Sequence, residues 1–160
     1  MADFWTRFEM LPLAAHIGET WWFPLLESLH VLTAMFVVGS IVFVDLRLLG
    51  LSAMRYPARR FMHELIRWTW VSFAIALITG LGMFLTRASW YVSNPAFQAK
   101  FALLALAGAN MAIFHWVARR NIGLWDTAFS TSTAARVAGA ASIVCWIAIT
   151  LAGRWTGHLS

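Results

Sequence analysis

Cysteine is nearly absent from this chain. Cys145 stands alone among 160 residues, so no intrachain disulfide can staple the fold. Charge is scarce too. Asp, Glu, Lys and Arg make up 12% of the residues, against roughly 25% in soluble domains. There is no glycine-rich phosphate cradle, nucleophile elbow, Cys-x-x-Cys or His-x-His pair. The first two absences argue against soluble-type NTPase or hydrolase chemistry, and the last two leave copper or zinc without a motif. No internal repeat, low-complexity tract or long linker divides the chain, which reads as one domain.

What remains is apolar. Hydrophobic residues make up 61% of the chain and the mean hydropathy is +0.70. No soluble core of this size hides so much apolar surface. The apolar residues gather in four runs, at 22–49, 62–86, 95–117 and 136–155. Each reaches the length of about 20 residues that an α-helix needs to cross a bilayer. Short connections between them predict an all-α, up-down four-helix bundle. Residues 1–20 mix Phe4, Trp5, Phe8, Leu11 and Leu13 with charges, as in a short segment lying in the membrane interface. Pro12 and Gly18 are expected to break that segment. The start shows no basic stretch leading into an apolar run and a cleavage site, so no cleavable signal peptide is expected.

The net charge of +5 does not point to nucleic acid, because the basic residues sit at helix ends. Eight of the twelve lie toward one side, namely Arg47, Arg55, Arg59, Arg60, Arg67, Arg119, Arg120 and Arg136. Positive loops stay in the cytoplasm. Both termini are therefore expected outside, on the periplasmic side of a bacterial inner membrane. Trp21, Trp22, Trp90 and Trp155 at one end, with Trp68, Trp116 and Trp125 at the other, mark the two interfaces.

Ionisable groups within a membrane segment are costly and mark sites. On the first run Glu27, His30, Ala34, Ile41 and Asp45 share one face. The topology sorts the polar residues into two layers, roughly 22 Å apart at 1.5 Å rise per residue. The outer layer holds Glu27, His30, Lys100, Arg154 and His158. The inner layer holds Asp45, Arg47, His63, Glu64, Arg67, His115 and Arg119.

Two readings of the outer layer stand side by side. In one, Glu27 pairs with Lys100 or Arg154 in an ion-pair clasp between helices. In the other, His30 ligates a haem iron or another metal, Lys100 is a second ligand or holds a propionate, and Glu27 and Arg154 tune the pocket. In the inner layer, His63 and His115 lie at similar depth on two helices, where they clamp a second b-type haem or simply meet the water boundary. His16, His30 and His158 are the weaker candidates for copper or zinc. A single Glu-x-x-His copy does not make a di-iron centre. Glycines on all four runs either pack helices closely or make room for a flat cofactor.

The segments Glu27-Ser-Leu-His30-Val-Leu, Val37-Val-Gly-Ser40, Val44-Asp-Leu-Arg-Leu-Leu-Gly50, Asn94-Pro-Ala-Phe-Gln-Ala-Lys100 and Ala152-Gly-Arg-Trp155 resemble a bacterial family of four-helix membrane proteins. That family looks related to the CopD-like group, which includes copper-resistance membrane domains and HemJ-type protoporphyrinogen oxidases. The resemblance covers nearly the whole chain. It implies haem b, with His30 and Lys100 at the positions of the histidine and lysine on which HemJ-type proteins depend. Their glycine-rich Trp-Val-Gly-Gly run is replaced here by Val37-Val-Gly-Ser40, and His63 is not part of their pattern.

The expectation is a haem b membrane protein acting in electron transfer or a related oxidoreductase step, with a redox protein or quinone as partner. The alternatives are a non-redox accessory or scaffold subunit in a homo-oligomer or larger membrane complex, and a copper or small-solute transport component.

Overall fold

A computed structural model describes residues 2–51, 59–120 and 133–158, within which the side chains of residues 2, 3, 59–63, 115 and 117–120 are not described. All regular structure among these residues is helical. Two short helices come first, α1 (Ala2–Glu9) and α2 (Pro12–Glu19). Four long ones follow: α3 (Trp22–Leu48), α4 (Arg59–Thr86), α6 (Pro95–Arg120) and α7 (Thr133–Trp155). The six-residue α5 (Ala88–Ser93) sits between α4 and α6. Each long helix contains a stretch apolar enough to cross a membrane, the second over Glu64–Thr86 and the third over Pro95–Phe114. In lipid a helix satisfies all its backbone groups internally, which is why these runs form helices and not irregular chain.

The ends are set by local chemistry. Pro12 separates α1 from α2 and occupies the first turn of α2, where its missing N–H costs nothing. Gly18 lies inside α2 without breaking it, against Thr86 of α4. At the far end of α3, Gly50 adopts a φ of 78°. Its N–H donates to the Arg47 carbonyl at 2.9 Å, and Leu51 N–H donates to the Leu46 carbonyl at 3.0 Å. This glycine-based closure satisfies the last carbonyls of α3.

Asn94 starts α6. Its Oδ1 accepts from Ala96 N–H at 3.0 Å and Phe97 N–H at 3.3 Å, while its Nδ2 donates to the Thr156 carbonyl at 3.0 Å. One buried side chain thus caps α6 and ties it to the chain leaving α7. Asn94→Ala is expected to lower stability by about 1–2 kcal/mol, as loss of a strong N-cap does. Thermal unfolding in detergent checks this.

The α3 helix packs on α4 and α7, and α7 packs on α6. Small and polar residues hold these contacts, as expected where lipid removes the hydrophobic drive. Along α3 and α4, His30 meets Ala76 and Thr79, and Ser40 meets Thr69, whose hydroxyl donates to it at 2.7 Å. Along α6 and α7, Lys100 lies beside Gly153, and Asn110 Nδ2 donates to the Ala138 carbonyl at 3.0 Å. Within each pair the two chains run in opposite directions. The α4 and α6 backbones make no extended contact with each other. Phe84 of α4 instead stacks on Phe97 of α6, with centroids 5.7 Å apart and planes 10° from parallel. The leading helices dock on this end, α2 against α3 and α4, and α1 against α5.

Candidate functional site

His30 lies on α3, one turn after Glu27, half-buried against α4. Its Nδ1 is 2.8 Å from the Ala76 carbonyl oxygen. A carbonyl only accepts, so Nδ1 carries the proton and donates it there. Thr79 Oγ1, at 3.3 Å, takes a weaker share of the same hydrogen, since its own hydroxyl hydrogen points back to α4 carbonyls. The ring's orientation and tautomer are therefore set. Nε2 is left with its lone pair and no hydrogen-bond partner among the described residues. Gly80 makes the close approach possible, because a Cβ there would stand 3.1 Å from His30 Cε1.

Lys100 opens α6 and is partly buried. Its Nζ lies 3.7 Å from where a Cβ on Gly153 would be, so the absent side chain of residue 153 leaves the room the lysine uses. Lys100 makes no ion pair among the described residues, and its positive charge acts on the His30 imidazole. His30, seventy residues from Lys100 in sequence, is thus brought within range of the lysine's charge.

Glu27 and Arg154 are both exposed and unpaired among the described residues. The ion-pair clasp of Glu27 with Lys100 or Arg154 is not formed. The carboxylate of Glu27 is instead in electrostatic reach of Tyr91 on α5. Burial pushes the Tyr91 phenol above its ordinary range, Arg87 opposes that shift, and Glu27 adds to it.

Tyr91 belongs to an aromatic cluster that closes this end of the molecule. It lies 5.2 Å from Phe97 and 6.1 Å from Phe84, and Trp5 of α1 sits edge-on to Phe84 at 5.8 Å. Glu9 holds α1 in place, its Oε1 accepting from Ser89 N–H at 2.7 Å and Ser89 Oγ at 2.6 Å. Sequence reasoning missed this cap. Its only signal is the density of aromatics in 84–101, which also suits an interface belt.

The remaining candidates separate. His16 and His158 are exposed. No three His, Cys, Asp or Glu side chains among the described residues converge to hold a metal ion. The His16, His30 and His158 cluster expected for copper or zinc is therefore not assembled. His63 falls in the first turns of α4 and His115 in the last turns of α6, but their side chains lie outside the described residues. Cys145 is half-buried in α7 as a free thiol.

Residues 8–159 match the model of a family of unknown function, DUF6644. No curated protein and no solved structure matches the chain.

Proposed function

The chain belongs to the DUF6644 family. We propose, from the geometry around His30, that it is a b-type haem protein of the bacterial inner membrane, acting in electron transfer or a related oxidoreductase step. The observation that carries this reading is the His30 ring. Its Nδ1–H is spent on a backbone carbonyl, and its Nε2 has no partner among the described residues. Metal-ligating histidines donate their other ring nitrogen in this way, which sets the tautomer and raises ligand basicity. Bound here, haem b supplies a one-electron couple.

The chain's own residues supply the rest. His30 binds and orients through Nε2. Ala76 and Thr79 hold the ring against rotation. Lys100, whose charge reaches His30, is the second ligand or the anchor for a propionate. Glu27 and Arg154, both exposed, adjust the local charge in this reading. His115, with His63, is the candidate for a second site. A haem centre needs only one or two protein ligands, which suits a chain with one oriented imidazole better than a three-donor copper or zinc centre does.

The four spans form an up-down bundle in this reading, with the arginine-rich connections in the cytoplasm and both termini in the periplasm. A redox protein or a membrane quinone exchanges the electron. Haem content tests the proposal. Full-length protein purified from cells with ample haem is expected to carry stoichiometric b-type haem by the pyridine haemochrome assay. Haem-free protein that co-purifies with a partner complex supports the accessory-subunit alternative instead.

A further inference from the structure

The geometry points to a second site, independent of any haem: we propose that the Asp45 carboxyl, held by the Ser142 hydroxyl across the α3–α7 contact, is a proton-binding site in the inner half of the membrane. Asp45 is only 5% exposed. It is hydrogen-bonded to Ser142 of α7, while its Oδ2 is buried with no partner among the described residues. The α7 backbone packs against the main chain of this turn of α3, since a Cβ at Gly139 would stand 3.1 Å from the Asp45 carbonyl oxygen and 3.2 Å from Leu48 Cβ.

No cation among the described residues offsets it. Arg47, two residues on, projects about 200° around the helix from Asp45, and its own buried Nη1 has no partner there. On α7 the nearby titratable groups are Arg136, which is exposed, and the half-buried thiol of Cys145. On α4 they are Glu64 and Arg67, both exposed. None of these bonds Oδ2. Asp45 also stands in the last turn of α3, where the helix dipole opposes negative charge.

An isolated ionised carboxylate in apolar surroundings costs several-fold more than an isolated hydroxyl. A proton on Oδ2 removes the charge, and Ser142 goes on donating to the other oxygen. An Oδ2 lone pair forms an O–H bond to a proton from hydronium in the water beyond the end of α3, the hydronium O–H bond breaks to leave water, and the side chain passes from charge −1 to zero. Intramembrane carboxyls of this kind mark proton pathways. His30 lies fifteen residues back along α3, roughly 22 Å away, so the two sites answer to separate tests.

Infrared spectroscopy of the full chain, titrated over pH, tests the proposal. With seven Asp and Glu in total, the carboxylic-acid carbonyl region is sparse. We expect one band there to grow as pH falls, to be missing in Asp45→Asn, and to move to higher frequency in Ser142→Ala, where its hydrogen bond is gone. Asn is a neutral isostere that can still accept from Ser142, so Asp45→Asn is expected to fold. Should it not fold, the Ser142→Ala band decides alone. An acid region identical in wild type and Asp45→Asn at every pH, or a band unmoved in Ser142→Ala, overturns the proposal.

Discussion

Replacing His30 with alanine is expected to abolish or shift the Soret band. The physical reason is the fixed orientation of the ring. Among the described residues the other imidazoles, His16 and His158, are exposed, and no three His, Cys, Asp or Glu side chains converge to hold a metal ion. The Ala76 carbonyl and Thr79 hydroxyl have no other ring to hold. Thr79→Val is the matched control. It removes only the weaker 3.3 Å share of the Nδ1 hydrogen and leaves Ala76 in place, so the spectrum is expected to persist. An unchanged spectrum in His30→Ala contradicts the assignment, whatever the control shows.

The second large effect is expected at Gly139. A Cβ there would already press on the Asp45 carbonyl and on Leu48, at 3.1 and 3.2 Å. The first of these is backbone and cannot rotate aside, so leucine must push α3 and α7 apart. Overpacking costs about 1–3 kcal/mol, and in lipid no hydrophobic drive pulls the helices back together. Gly139→Leu is therefore expected to lower Tm by roughly 2–12 °C and to loosen the site around Asp45. A Cβ added at Gly39 would meet nothing within 4 Å, so Gly39→Leu is expected to leave Tm unchanged. Equal losses in the two variants contradict this picture of the α3–α7 contact.

How much of this is readable from sequence follows from what each feature writes into the chain. The four spans are, because about twenty apolar residues in a row have one physical use. His30 is, because an ionisable group at membrane depth stands out against its neighbours. Its partner is not. The Ala76 carbonyl is a backbone group and carries no mark in the sequence, and Gly80 reads the same whether it packs a helix or admits a ring.

The Glu27 clasp fails for a related reason. Helical spacing places Glu27 and His30 on one broad face but cannot say that the outer end of that face opens toward Tyr91. The Pro12 break is legible from the fixed φ of proline, while the expected break at Gly18 is overridden by packing against Thr86. The six-residue α5 is too short for any periodicity to reveal it, and its anchoring by Glu9 joins residues eighty apart. Asp45 is visible as a charge, but its burial against Gly139 and Ser142 requires the α3–α7 contact.

The central claim is that His30 presents its free nitrogen to haem iron. The absorption spectrum of detergent-purified full-length protein, taken air-oxidised and again after dithionite, tests it most directly. A Soret band with sharpened α and β bands on reduction is the expected result. A visible spectrum that stays flat in both states, from protein expressed with ample haem, contradicts it.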